Sequence, residues 1–289
     1  MCPERAAAPS LVDWLGATRP RTLVAAVVPV AVGLALARGG GVLDAPVAAA
    51  TLGAALLIQI ATNFANDYGD FVRGADGPER LGPRRLSGAP GGAAAVRRAT
   101  AVVVALAALI GLFLVARGGW PILAIGVASL AAALAYTGGP LPLAYHGLGD
   151  VFVFAFFGPV AVAGTYYLQR GALDPRVLLA AVPVGCLAVA ILVVNNLRDI
   201  DGDRQAGKRT LAVRLGAAGT RVEYLLLLAT AFAAALGAGV WLPLAVAPLA
   251  AREAAALWRR RGAELNASLA GTARLHLLFG ALLAAGLAT

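Results

Sequence analysis

The chain has 289 residues, 60% of them hydrophobic and only 13% charged, with a formal net charge of +9 and a mean hydropathy of +0.79. That composition excludes a soluble domain with a polar surface, and apolar runs recur along the whole length. The chain is therefore read as an all-α polytopic membrane protein, a single integral-membrane domain over 1–289.

The positive charge tracks membrane orientation, so no nucleic-acid partner is expected. Two cysteines, Cys2 and Cys186, exclude a disulfide framework and a thiolate metal site. His146 and His276 are far apart and show no metal-ligand spacing. Residues 1–22 are polar and lack the charged-then-apolar layout of a secretory signal.

Windows of roughly 20 apolar residues predict about nine transmembrane helices. Their spans are 22–38, 46–66, 97–116, 119–137, 149–168, 176–197, 222–239, 241–257 and 271–288. The last division but one rests on a single turn signal, Gly237-Ala238-Gly239. With the N-terminus inside, only Arg38, Arg117, Arg170 and Arg176 of the 24 Lys and Arg residues fall in outside segments. This asymmetry predicts a cytoplasmic N-terminus and an outside C-terminus.

Span 2 ends in an acidic cluster led by asparagine: Asn63, Asn66, Asp67, Asp70, then Asp76. Span 6 ends in another: Asn195, Asn196, Arg198, Asp199, then Asp203. Asn63, Asp67 and Asp70 are spaced to share one helical face, and so are Asn195, Asp199 and Asp203. Carboxylates are costly at a membrane edge and mark a polar site by default. The charge count puts both clusters on the cytoplasmic side, where they could meet across a cavity and hold a divalent metal. Between them lies an uncharged inside loop, Thr137 to Gly149, read either as a cap over that cavity or as a Gly/Pro-rich connector.

Carboxylates with carboxamides, and no His or Cys, suit a hard cation such as Mg²⁺. That ion binds one or two carboxylates together with substrate phosphate oxygens. Cationic side chains beside the clusters suit a diphosphate. Arg73, Arg80, Arg84 and Arg85 are available in the first loop, and Arg198, Lys208 and Arg209 in the second. A transporter with acidic cation sites is the competing class. It would place its charges along a path near the bilayer midplane, whereas here the midplane is apolar.

The stretch Asn195–Gly216, NNLRDIDGDRQAGKRTLAVRLG, resembles the second signature of the UbiA superfamily of membrane prenyltransferases, in the form of its menaquinone branch. NFANDYGDFVRGAD, followed by Arg80, Gly82-Pro83 and Arg85-Leu86, resembles the first signature. Arg19-Pro-Arg-Thr-Leu23, YTGGPLPLAYHGLGD and FFGPVAVAGTYY agree with the same branch. The chain departs from the pattern at Gly202, where threonine is expected, and in reaching Ser87-Gly88 early.

The resemblance implies Mg²⁺-dependent transfer of a polyprenyl group from its diphosphate to 1,4-dihydroxy-2-naphthoate, with decarboxylation to demethylmenaquinone. It implies a multi-pass enzyme of the inner (plasma) membrane with its active site towards the cytoplasm. Two Mg²⁺ ions would bridge the diphosphate to Asp67/Asp70 and Asp199/Asp203, with Asn63, Asn66 and Asn195 completing the coordination. Arg198, Lys208 and Arg209, helped by Arg73, would counter the leaving charge. Arg80 and Arg85 are expected at the acceptor's carboxylate, because a planar guanidinium suits that group. Tyr136, Tyr145 and Tyr68 are candidates to line the ring site, and Asp76 for a general base. Alternative acceptors within the same superfamily are 4-hydroxybenzoate, haem or a chlorin.

Overall fold

The computed structural model describes residues 9–75, 81–82 and 85–288. Asp76, Arg80 and Arg84, named above as candidates, lie outside them. Every regular element among the described residues is helical.

A short helix α1 (Leu11–Ala17) starts on a capping box formed by Ser10 and Asp13. Then follow α2 (Pro20–Arg38), α3 (Ala45–Val72) and α4 (Gly92–Ala135). Asp44 caps α3 and the next-but-one residue is Pro46, an N-terminal start signal in the sequence itself. α4 is interrupted at Gly119, whose φ of 68° and ψ of −156° are not helical. That break falls where the sequence predicted two spans to meet.

Next come α5 (Gly149–Ala155), a π-helical turn at Phe156–Val160 holding Pro159, and α6 (Ala161–Arg170). The chain continues through α7 (Pro175–Arg198), α8 (Ile200–Gln205), α9 (Leu211–Gly237), α10 (Ala247–Arg259) and α11 (Leu265–Leu287).

Seven helices among the described residues are long and apolar enough to cross a membrane. The expected span 241–257 is not one of them. It is a 3₁₀ turn, Leu242–Val246, followed by the 13-residue α10. The two are contiguous over 242–259, but neither alone has the length of a membrane-crossing α-helix. Arg252 and Glu253 interrupt its apolar character, and Glu253 is buried with Arg260 3.9 Å away.

α7 is the axis of the bundle. In its most apolar window 78% of residues are buried, against 17% in α4. α4 is nevertheless almost as apolar, and its Val102, Leu109 and Leu112 are more than half exposed. Those side chains have the character of a lipid-facing surface, where water exclusion contributes nothing to helix association. Association therefore rests on close packing and small residues. Gly158 in the π turn and Gly185 in α7 show the device. A Cβ added at Gly158 would lie 3.0 Å from the Gly185 Cα, and one at Gly185 would lie 2.8 Å from the Phe154 ring.

Candidate active site

The two acidic clusters come together at one end of the bundle. The end of α3, the α7–α8 corner, the α1–α2 junction and parts of loops 81–88 and 137–148 enclose a polar cavity of about 480 Å³. Asn63, Asn66 and Asp70 line it from α3, facing Asn195, Asn196, Arg198, Asp199 and Asp203. The helix breaks at Asp199, so Asp203 reaches the cavity from α8 rather than from a continued α7 face.

Lys208 ties the clusters together. Its Nζ lies 3.4 Å from Asp70 Oδ1 and 3.6 Å from Asp203 Oδ1. Arg85 pairs with the other oxygen of Asp70 at 2.8 Å, and both side chains are at least nine-tenths buried. The Tyr145 hydroxyl donates to Asp70 Oδ1 at 3.3 Å. On the opposite wall, Arg198 grips both oxygens of Asp199 at 2.8 and 2.5 Å and donates to Asn195 Oδ1 at 2.9 Å. Burial pushes the Asp203 carboxyl up to about 6; Lys208 opposes that shift, while Asp199 and Asp70 reinforce it.

A second, apolar cavity of about 310 Å³ lies against the first, walled by α2, α3, α4 and the α5–α6 segment. Gln59, Thr62, Tyr136, Val153 and Phe157 line both. A charged, hydrogen-bonding chamber thus abuts a greasy one with a shared wall, which suits a ligand with an anionic head and a long apolar tail.

Residues 26–285 match the UbiA prenyltransferase family. The chain belongs to that family. It is 42% identical over 287 residues to the 1,4-dihydroxy-2-naphthoate octaprenyltransferase of Mycobacterium tuberculosis, covering 96% of this chain and 97% of that one. It is 45% identical over 217 residues to the Escherichia coli enzyme of the same name, covering 72% and 70%. Its fold matches that of a UbiA homolog from Archaeoglobus fulgidus bound to GPP and Mg²⁺, with a TM-score of 0.61 and 19% identity over 96% of this chain and all of that one.

Within this prenyltransferase the structure redistributes several residues that the sequence grouped together. Asp67 does not line the cavity. Its two oxygens accept the backbone N–H groups of Leu86 (3.0 Å) and Ser87 (2.9 Å), so it anchors the loop from α3. Asp67 is turned about 60° around the helix from Asp70, far enough to face the loop instead.

Arg73 donates to the carbonyls of Thr137 (3.1 Å) and Gly139 (2.5 Å) and lies over the Tyr145 ring, so it clamps the 137–148 loop rather than reaching into the cavity. The Arg209 side chain is exposed and outside the cavity wall; its backbone N–H holds the Tyr145 carbonyl. Tyr68 packs with Phe64, Leu86 and Val96 on the outer flank of α3. Of the three tyrosines, Tyr136 lines the cavities and Tyr145 touches Asp70. The 137–148 loop closes the chamber, with Thr137 and Ala144 in its wall.

Four contributors escaped the sequence reading. Arg19, the N-cap of α2, has φ 51°, a left-handed conformation uncommon for a non-glycine residue, and it lines the cavity. Thr22 accepts from Asn63 Nδ2 at 3.2 Å. Asn266 on α11 accepts from Arg198 (2.8 Å) and donates to the Leu81 carbonyl (3.0 Å), bridging loop 81–88 to the second cluster. Gln59 precedes Asn63 by one helical turn. A polar residue so placed in an apolar span was a signal in plain view; nothing local marked Asn266.

The donor set fits a hard cation in its chemistry: carboxylates and carboxamides, with an ammonium now seated between carboxylates of opposite clusters. Among the described residues no three acidic, His or Cys side chains converge into a ready-made metal cage. Mg²⁺ takes few protein carboxylates and completes its shell with water and phosphate oxygens.

Proposed function

We propose that this enzyme transfers a polyprenyl group from polyprenyl diphosphate to 1,4-dihydroxy-2-naphthoate with loss of carbon dioxide, the prenylation step of menaquinone biosynthesis. The observation that carries the reading is the pair of cavities, one lined by cations and carboxylates and one apolar, sharing a wall. The relatives' names supply the acceptor and the reaction.

In this reading the diphosphate lies in the polar chamber and the isoprenoid tail in the apolar one. Asp70, Asp199 and Asp203, with Asn63, Asn66 and Asn195, are the residues that would hold Mg²⁺. Bound there, Mg²⁺ neutralises the diphosphate and makes it a better leaving group. The GPP and Mg²⁺ carried by the archaeal homologue support this assignment. Asp67 fixes the loop that carries Arg85.

Lys208 and Arg198 face the departing diphosphate and stabilise its growing charge. The allylic C–O bond breaks and its electron pair leaves with the diphosphate. Tyr136 and Phe157, in the shared wall, exclude water from the resulting cation. A ring carbon of the naphthoate supplies the electron pair of the new C–C bond. Where that carbon bears the carboxylate, carbon dioxide departs in place of a proton and returns its electron pair to the ring. No general base is then required, which removes the need for Asp76 in that role. Arg85, paired with Asp70 in the cavity wall, is our assignment for the acceptor's carboxylate. The membrane is the plasma membrane and the polar chamber faces the cytoplasm.

The test is an acceptor comparison. Purified enzyme with Mg²⁺ and a polyprenyl diphosphate is offered 1,4-dihydroxy-2-naphthoate and, separately, 4-hydroxybenzoate. Turnover of the naphthoate is expected; turnover of the benzoate alone would sink the assignment.

A further inference from the structure

The reacting atoms must meet where the two cavities share a wall, since the diphosphate is held on one side and the tail on the other. Among the described residues, five line both: Gln59, Thr62, Tyr136, Val153 and Phe157. Gln59 is the one with a carboxamide, and it is 7% exposed.

The orientation of that carboxamide follows from its neighbours. Asn63 Nδ2 donates to the Thr18 carbonyl at 2.8 Å, and a carbonyl can only accept. The Asn63 Oδ1 must therefore face Gln59, which presents Nε2 to it at 3.4 Å and to Thr22 Oγ1 at 3.5 Å. Thr22 Oγ1 donates its own proton to the Arg19 carbonyl at 2.9 Å and so accepts from Gln59. The network leaves Gln59 Oε1 turned away from both. It is buried and has no hydrogen-bond partner among the described residues. A buried amide oxygen without a donor is costly, and such groups in a native fold call for an explanation.

We infer that Gln59 Oε1 accepts a hydrogen bond from a ring hydroxyl of the aromatic acceptor and thereby selects acceptors that carry it. This rests on the naphthoate reading above. In 1,4-dihydroxy-2-naphthoate the hydroxyl beside the carboxylate is satisfied within the molecule, as in salicylate. The other hydroxyl has no internal partner and needs an acceptor from the protein. Gln59 lines both cavities, and its Oε1 is a buried, unpaired acceptor in the wall between them. A site built to bind a hydroxyl rejects analogues that lack it, because its own polar atom is then left unpaired.

The test compares two ligands. 1-Hydroxy-2-naphthoate keeps the hydroxyl beside the carboxylate and lacks the other. KM for 1,4-dihydroxy-2-naphthoate and the competitive Ki of 1-hydroxy-2-naphthoate are measured for the wild-type enzyme, Gln59→Met and Gln59→Glu. Gln59→Met, close in shape but without an acceptor, should raise KM about tenfold and leave Ki unchanged. Gln59→Glu, which keeps an acceptor oxygen, should retain the wild-type preference. Gln59→Leu repeats the measurement should the methionine variant not fold. Equal weakening of both ligands, or of neither, overturns the role of Gln59 while the naphthoate reading stands. Wild-type enzyme that ignores the naphthoate and prenylates 4-hydroxybenzoate removes both.

Discussion

The two acidic clusters look alike in sequence and are held in opposite ways. The cluster on α3 is organised from outside its own helix. Asn63 is bound from the α1–α2 junction, Asn66 by Thr137 at 3.0 Å, Asp67 by loop backbone, and Asp70 by Arg85, Lys208 and Tyr145. The cluster at the α7–α8 corner is organised mostly from within. Arg198 binds Asn195 and Asp199 of its own segment, and Asn266 is the distant residue that joins them. The first cluster is therefore a scaffold that gathers loops, with Asp67 bonded to loop backbone and Asp70 in the cavity wall. The second is a preassembled wall whose carboxylates Asp199 and Asp203 both remain in the cavity.

This contrast orders the expected effects of substitution. Asp70→Ala and Asp199→Ala each remove a carboxylate from the cavity. Both should lower kcat by roughly a thousandfold, the scale of several kcal/mol of transition-state stabilisation. Steady-state kinetics at saturating Mg²⁺ would check this, and near-normal turnover in either would dissolve the two-cluster site. Lys208→Ala removes a cation that contacts both clusters, and a loss of roughly a hundredfold in kcat is expected. Retention of activity would show that the clusters function without their link.

Asp67→Asn sharpens the comparison most directly. Each charged hydrogen bond it weakens contributes about 1.5–3 kcal/mol, so loop 81–88 should become more susceptible to limited proteolysis. The Mg²⁺ concentration for half-maximal rate should stay within about twofold of wild type, whereas Asp70→Asn should raise it at least about tenfold. A large Mg²⁺ shift for Asp67→Asn would return that residue to the metal.

The pH response belongs to the second cluster. Asp203 is raised to about 6, so a proton competes with the cation below that pH. Mg²⁺ affinity should fall as pH drops through about 6, and isothermal titration of the diphosphate-loaded enzyme would register it. The smallest contrast is between two arginines. Arg73→Ala should loosen the 137–148 loop and cost about tenfold in kcat/KM through its lost carbonyl contacts. Arg209→Ala, with its side chain exposed, should change kcat/KM by less than about twofold.

How far the sequence could be read depended on the reach of the forces involved. The apolar spans were legible because hydropathy is a property of the segment itself. α3 and α7 appeared near their expected bounds, with Asp44 and Asp174 as caps that proline follows. The segment 241–257 is helical as expected but splits into a 3₁₀ turn and α10, with Arg252 and Glu253 interrupting its apolar run. In the site, residue type and helical spacing brought out Asn63, Asp70, Asn195, Asp199 and Asp203. The same spacing grouped Asp67 with Asp70, whereas the structure bonds Asp67 to the Leu86 and Ser87 backbone, and a face some 60° wide cannot be divided without knowing what packs on each side. Arg73 and Arg209 were grouped with the ligand-binding cations because charge and nearness in sequence do not reveal whether a guanidinium is already bonded to a loop.

By itself, the sequence determined that this is a helical membrane protein with two polar clusters on one side, and the motifs around them determined the family. Those properties are local: a run of apolar residues cannot stay in water, and Asn and Asp at helical intervals cannot be separated from one another. The tertiary structure alone decided which carboxylate faces the cavity and which holds a loop, that Lys208 spans the clusters, that Asn266 belongs to the site, and that the Gln59 amide oxygen is left unpaired. Those properties depend on partners many residues away. A hydrogen bond to the Leu86 backbone or an unpaired amide oxygen in a shared wall exists only once the helices have packed.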